Sequence, residues 1–375
     1  MPAPVRQLGD EHLGQLLTDI RRTPLLWLLI FVPVVLYGEH AWHDQQTLLF
    51  VLSVLAIVPL AALLSRTTES VAEHTGDAVG GLLNATLGNL TELVIAFTAL
   101  QAGQYALVKA SIAGAIVTNT LFMLGGAFLL GGLRHHVQAF NKVGARFQSS
   151  LLFVAVVALL VPSMVATADG AVGSPALQTL SATLAVLLIG GYVLGLLFSL
   201  KTHKEDFAGA GHGASEEPPL PLATGIVMLL GITVLVALVS EVFVGSVEAA
   251  GEAFGMSPAF VGFIVVALVG AAAEIATAFS AARKDRLDLS VGIALGSASQ
   301  IALFVAPVLV LLSYVIGPEP MALDFWPGAM IMMLIAALTA SILTTGGRSA
   351  WFLGVVVLMV YAIFAVSLYI LPPAT

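Results

Sequence analysis

Apolar residues run along this chain in long blocks separated by short polar stretches. A helix needs about 20 apolar residues to cross the hydrocarbon core of a bilayer. By this measure eleven membrane segments are predicted, at 24–38, 47–65, 79–101, 105–132, 148–166, 176–200, 220–241, 257–282, 287–316, 323–345 and 350–371. The pattern therefore predicts an all-α polytopic membrane protein with about 11 transmembrane helices and the lipid bilayer as its surroundings.

The basic residues give an independent test of this segment count, because Lys and Arg favour the cytoplasmic side of a membrane. With the N-terminus inside, thirteen of the fourteen Lys and Arg residues fall on the cytoplasmic side, and only Lys109 falls outside. The distribution predicts a cytoplasmic N-terminus and an outer C-terminus. We expect a multi-pass protein of a bacterial inner (plasma) membrane.

Composition narrows the function classes. The chain is 59% hydrophobic and 10% charged, against roughly 25% charged residues in soluble domains. It has no cysteine, which excludes disulfides, thiolate metal sites and cysteine nucleophiles. The formal net charge is −8 and no basic cluster indicates nucleic acid. No cofactor is indicated, and homo-oligomerisation stays open.

Two glutamates occupy matched positions in the middle of apolar segments. Glu92 lies in "GNLTELVIAF" and Glu274 in "GAAAEIATAF", each four residues after a glycine, Gly88 or Gly270. A charged side chain at a helix centre costs about 2.5–3.5 kcal/mol on insertion scales, so such acids mark functional sites. Both are followed by a glycine-rich segment with an embedded amide, Asn119 or Gln300.

These matches predict that segments two to six repeat as segments seven to eleven. Because five is odd, the second copy is inverted in the membrane, as in many secondary transporters whose sites lie near the midplane. The predicted organisation is a tail with the first helix (1–46), a five-helix repeat (47–200), a cytoplasmic linker (201–219) and a second five-helix repeat (220–375). Inversion brings the two carboxylates to the bilayer centre from opposite directions.

The residue types near the two acids favour a hard cation. Carboxylates, amides, hydroxyls and backbone carbonyls all offer oxygen, and Ca²⁺ takes six to eight oxygen ligands. Two carboxylates sharing one low-dielectric site cannot both stay ionised when the metal leaves, so protons compete with it. We therefore expect Ca²⁺ and H⁺ to be exchanged as transported substrates.

Further acids lie near the predicted ends of the segments. Glu69 and Glu73 are on the inside, and three more are on the outside: Glu241, Glu248 and Glu252. They are either cation-gathering residues at the two mouths or solvated helix ends.

The stretches "GGLLNATLGNLTELVIAFTAL" and "GAAAEIATAFSAARKDRLDLSVGIALGSASQIALF" closely resemble the two repeat motifs of the calcium/proton exchangers in the calcium/cation antiporter superfamily. The resemblance covers about residues 60–371. It implies that Glu92 and Glu274 bind the ions, that Asn89 sits at a helix break, and that Asn119 and Gln300 lie on adjoining helices. It also implies transport by alternating access.

This chain departs from the family's second motif at two positions. The second motif usually has Asn and His where Ala271 and Ile275 stand, which thins the oxygen shell from that half. Sodium/calcium exchangers of the superfamily carry Pro before each acid, but Thr91 and Ala273 stand there, which favours protons as the counter-ion.

The alternatives to Ca²⁺/H⁺ exchange are two other transport functions and one enzyme activity. A sodium(potassium)/calcium exchanger and a cation channel are the alternatives within transport. An intramembrane metalloprotease would need HExxH, which is absent from the sequence. The sequence therefore favours a secondary transporter and not an enzyme.

Overall fold

The computed structural model describes residues 24–75, 77–169, 174–203 and 220–373. Within these ranges it contains thirteen helices and two short strands. A 3₁₀ turn (Pro24–Ile30) precedes the first helix. The elements are α1 (Phe31–Ala41), α2 (Gln46–Glu73), α3 (Asp77–Leu87), α4 (Leu90–Gln101), α5 (Tyr105–His135), β1 (Val137–Ala139), α6 (Lys142–Asp169), α7 (Pro175–Leu197), α8 (Leu222–Phe254), α9 (Pro258–Gly270), α10 (Ala272–Arg283), α11 (Leu287–Ser313), α12 (Pro327–Leu343), β2 (Arg348–Ala350) and α13 (Trp351–Ile370).

The prediction of an all-α membrane fold is confirmed. Each predicted segment contains helix, but α2 and α8 run on to Glu73 and Phe254, well past the predicted ends at 65 and 241. Among the described residues, seven helices are long and apolar enough to span a membrane, or eight if α9 and α10 form one bent span. Three apolar helices are shorter: Leu25–Ala41, Leu90–Gln101 and Pro327–Leu343. The count of eleven crossings stays a prediction. The predicted linker lies almost entirely outside the described residues.

Helix α5 forms the centre of the bundle. In the most apolar 18-residue stretch of α5, 89% of the residues are buried. In the corresponding stretch of the helix that begins at Pro175, only 17% are buried. Small residues allow backbones to meet here. A methyl group added at Gly114 of α5 would lie 2.1 Å from the carbonyl oxygen of Phe263 in α9. One added at Gly262 would lie 2.6 Å from Cβ of Ala110. Close approach at small residues is typical of helix packing in membranes.

The two segments that carry the central glutamates are each broken in the middle. Asn89 separates α3 from α4 with φ −97° and ψ 26°, and Ala271 separates α9 from α10 with φ −81° and ψ 6°. The second break bends the chain by 58°. Neither ψ value is helical, so the backbone turns between the halves of each segment. Each break places a new helix N-terminus inside the bundle.

The helices that follow the two broken segments, α5 and α11, share a second feature. A π-helical turn spans Thr118–Met123 in α5, and another spans Ile301–Val305 in α11. Such turns occur frequently at functional sites.

The two halves also match at several sequence positions. A constant shift of 182 positions relates Gly88, Glu92 and Gly114 to Gly270, Glu274 and Gly296.

Contacts between loops join helix ends at two opposite faces. On one face β1 pairs antiparallel with β2, with Gln138 opposite Ser349. On the other, an ion pair joins Lys109 near the start of α5 to Asp324 before α12. These contacts link the two halves of the chain at both faces and leave the glutamate-bearing breaks between them.

Candidate ion-binding site

Glu92 lies in the first turn of α4, where the N-terminus of a helix favours negative charge. The residue is only 9% exposed. Its side chain reaches the break in the other half of the chain: a methyl group at Gly270 would lie 2.9 Å from Cγ of Glu92 and 3.5 Å from Oε1. The glycine therefore leaves room for this carboxylate.

Glu274 lies in the first turn of α10, the equivalent place in the second half. It is half-buried, and its carboxylate is within electrostatic range of Glu92. The structure thus brings together the two acids that the sequence singles out, each at a helix N-terminus.

Three buried oxygens at this place have no hydrogen-bond partner among the described residues. They are Oε1 of Glu92, Oε2 of Glu274 and Oδ1 of Asn119. Buried polar atoms are nearly always hydrogen-bonded, so unpaired oxygens gathered in one place indicate a position for a cation, a proton or water.

The amides of the site form one connected network across the two halves. Nδ2 of Asn89 donates to Oε1 of Gln300. The Ser297 hydroxyl donates to Oδ1 of Asn89 at 2.7 Å and accepts from Nδ2 of Asn119 at 2.8 Å. Asn89, Asn119 and Gln300, all predicted site residues, therefore lie together, and Asn89 lies at a helix break as expected.

Ser297 is a residue of this network that the sequence did not single out. It is 3% exposed and its hydroxyl joins two of the predicted amides. Serines are common on small-residue faces of membrane helices, so composition alone does not distinguish it. Its spacing in the sequence could have identified it, because Ser297 precedes Gln300 by three residues and so lies on the same face of α11.

The donor set fits Ca²⁺ as cargo better than it fits a softer metal. Within the described ranges, no three His, Cys, Asp or Glu side chains group closely enough to hold a metal ion. The centre offers carboxylate, amide and hydroxyl oxygens. Hard cations such as Ca²⁺ prefer these ligands and accept water for the remaining positions.

The predicted mouth residues separate into two groups. Glu69 is half-buried near the end of α2 and lies within electrostatic range of Glu274, one turn from the exposed Glu73. The other three are exposed along α8 and do not join the central cluster: Glu241, Glu248 and Glu252.

The two departures in the second motif make the site unequal. Ala271 is fully buried among apolar side chains at the break where the first half has Asn89. It offers no side-chain oxygen, and Ile275 offers none either. The first half therefore supplies a bridging amide at its helix break, and the second half supplies none at the equivalent position.

Comparison with known proteins gives a consistent result. The profile of the sodium/calcium exchanger protein family matches residues 45–201 and 224–370. A "Ca(2+)/H(+) antiporter" of Aphanothece halophytica is 39% identical over 366 residues, which cover 94% of this chain and 98% of the relative. A protein of the same name from a Synechocystis species is 41% identical over 365 residues, covering 92% and 97%. The solved structure of native YfkE superposes with a TM-score of 0.80 at 34% identity and covers 92% of this chain and all of that one.

Proposed function

The chain belongs to the sodium/calcium exchanger protein family, and on that premise we propose that it exchanges Ca²⁺ for H⁺ across a membrane. It is a secondary transporter, like the relatives named as Ca²⁺/H⁺ antiporters. Ca²⁺ binds between Glu92 and Glu274, with further oxygens from Asn89, Asn119, Gln300, Ser297 and water. When Ca²⁺ leaves, protons take its place on the two carboxylates.

One observation carries this proposal. Two buried carboxylate oxygens, one from each half of the chain, converge without a hydrogen-bond donor among the described residues. An ionised pair left empty in a low-dielectric site would cost several kcal/mol. Ca²⁺ or protons remove that cost, and the two cannot do so at the same oxygens at once. Competition between the ions is therefore a property of the site.

Alternating access is the proposed route by which the site faces each side in turn. One side of the site is closed in this structure, because α5 and α9 touch through Gly114 and Gly262. The equivalent contact on the other side is missing: a methyl group at Gly296 would approach only the amide nitrogen of Gln148, at 3.4 Å. This asymmetry supports a carrier that is open on the side of α3 and the start of α11.

We place that open side in the cytoplasm, with the N-terminus inside and the C-terminus outside.

A hydrogen bond at the end of the linker supports the inverted arrangement of the repeats. The backbone N–H of Leu220, just before α8, donates to the Ser70 hydroxyl near the end of α2 at 2.8 Å. The equivalent helices of the two halves therefore meet at opposite ends, as inversion requires.

The test is ⁴⁵Ca²⁺ uptake into proteoliposomes with an imposed pH gradient, repeated with a sodium gradient at equal pH. We expect uptake against the Ca²⁺ gradient only when protons flow the other way. Uptake driven by sodium alone would instead identify a sodium/calcium exchanger, and flux that only follows the Ca²⁺ gradient would identify a channel.

Binding measurements complete the test. Apparent affinity for Ca²⁺ in detergent should fall steadily from about pH 9 to about pH 5, because protons occupy the same carboxylates. The two acids should titrate as a coupled pair. An affinity independent of pH over this interval would contradict the proton half of the proposal.

A further inference from the structure

The face of the molecule that carries β1 and β2 also gathers most of the exposed positive charge. Nine Lys and Arg residues are exposed in the described part of the chain, and seven of them lie around the two strands. The other two are Arg66 and Lys201. We call the seven the basic junction: Arg134, Lys142, Arg146, Arg283, Lys284, Arg286 and Arg348.

These cations belong to one assembled surface, although the chain segments that supply them are far apart in sequence. Strand pairing places Ala139 opposite Arg348. The His135 ring nitrogen contacts the Arg283 carbonyl oxygen at 3.1 Å. A methyl group at Gly347 would lie 3.3 Å from Cβ of Lys142. These contacts therefore hold together the chain segments that carry the cations.

Gln138 holds this surface against the end of α10. Its side-chain nitrogen donates to the Ala282 carbonyl at 2.9 Å and to Asp285 at 2.8 Å. Gly131 leaves room for the Gln138 side chain, since a methyl group there would lie 1.8 Å from its oxygen. Asp285 is thus engaged with Gln138, and Asp288 is half-buried in the first turn of α11. The seven exposed cations outnumber the two acids on the adjoining turns.

An apolar margin lies beside the cations. Five large apolar side chains are exposed there: Leu133 at 62%, Val137 at 57%, Val143 at 57%, Trp351 at 44% and Phe352 at 60%. Trp is enriched where a membrane meets water, and exposed aliphatic side chains in a bilayer contact acyl chains. Charge and apolar surface side by side match the two parts of a phospholipid and do not match a free anion.

We propose that the basic junction binds the headgroups of anionic phospholipids in the adjoining leaflet. Clusters of four to eight Lys and Arg next to membrane helices are typical of such binding. The cytoplasmic preference of Lys and Arg accounts for the side on which they lie. It does not account for their assembly, by strand pairing and by Gln138, into one surface. Bound lipid also steadies the end of α10, the helix that carries Glu274.

The experiment compares lipid retention by native mass spectrometry of the detergent-purified full chain, supplied with phosphatidylglycerol or phosphatidylcholine at equal ionic strength. Retention does not depend on transport, so the result stands apart from the proposed exchange activity. We expect phosphatidylglycerol to be retained in preference. Lys142→Gln should weaken its binding about fivefold and the pair Lys142→Gln with Arg348→Gln about 25-fold.

Lys201→Gln is the matched control, because Lys201 is also an exposed lysine on the predicted cytoplasmic side but lies outside the junction. It should retain lipid as the unchanged chain does. Hydrogen exchange of residues 280–286 should slow when phosphatidylglycerol is added. Equal retention of the two lipids, equal losses in Lys142→Gln and Lys201→Gln, or displacement by inorganic phosphate would each overturn the proposal.

Discussion

At the scale of single residues, the proposed exchange rests on a pair of buried carboxylates whose charge a transported ion would balance. Glu92 is held against Gly270 of the second half, and Glu274 lies within electrostatic range of Glu92 of the first half. Each acid therefore approaches an element of the opposite half. In the proposed site each half supplies one glutamate, so neither half would form the site alone.

We expect Glu92→Gln and Glu274→Gln each to reduce exchange to background while the protein still folds. Glutamine keeps the size of the side chain but loses the charge that Ca²⁺ needs and the proton that replaces it. Proteoliposome flux and thermal unfolding in detergent are the measurements. Glu319→Gln is the matched control, since Glu319 is exposed in a loop. Near-normal exchange by either central variant would contradict the site assignment.

Ser297→Ala should lower both stability and Ca²⁺ affinity. The change leaves Oδ1 of Asn89 and Nδ2 of Asn119 without their shared partner, at a cost of about 1–3 kcal/mol for buried groups. Ser111→Ala is the control, because the Ser111 hydroxyl is also buried but bonds only to a carbonyl of its own helix, that of Val108. If the two variants melt alike and bind Ca²⁺ alike, Ser297 has no place in the site.

At the scale of elements, the sequence predicted the presence of the helices better than their shape. Apolar length indicated each segment, because hydrocarbon thickness sets that length. The helix break at Asn89 was expected only from the resemblance, and the break at Ala271 was not predicted. The π turns and the three-residue strands carry no periodic signal and were not predicted. Their geometry depends on contacts with distant parts of the chain.

The contact between α5 and α9 gives a prediction at this scale. Gly114→Ala should destabilise the protein by about 1–3 kcal/mol, because the added methyl group meets backbone atoms that cannot move independently. Gly231→Ala in α8 is the control, since nothing lies within 4 Å of its added methyl group. Removing that glycine should raise helix stability by about 0.5–1 kcal/mol. Thermal unfolding that ranks the two variants the other way would contradict the close packing.

At the scale of the whole molecule, the two halves are similar in sequence but differ in arrangement. The constant shift of 182 positions pairs Gly114 with Gly296, yet only Gly114 is in close contact with a neighbouring helix backbone. Two copies of one element in two arrangements are what the proposed alternating-access carrier would show in one of its two states. In that proposal the opposite state follows from exchanging the roles of the two halves.

This exchange of roles predicts a pattern of chemical accessibility. The chain has no cysteine, so single cysteines can be placed without other changes. Ala110 is fully buried where α5 meets α9, whereas Thr277 is exposed one turn beyond Glu274. In the state described here, a membrane-impermeant maleimide should label Thr277→Cys from the cytoplasmic side and leave Ala110→Cys unlabelled from either side. Ion gradients that drive turnover should make Ala110→Cys reactive from outside and slow the labelling of Thr277→Cys. Labelling rates that do not respond to Ca²⁺ or to the pH gradient would mean that the site does not alternate between the two sides.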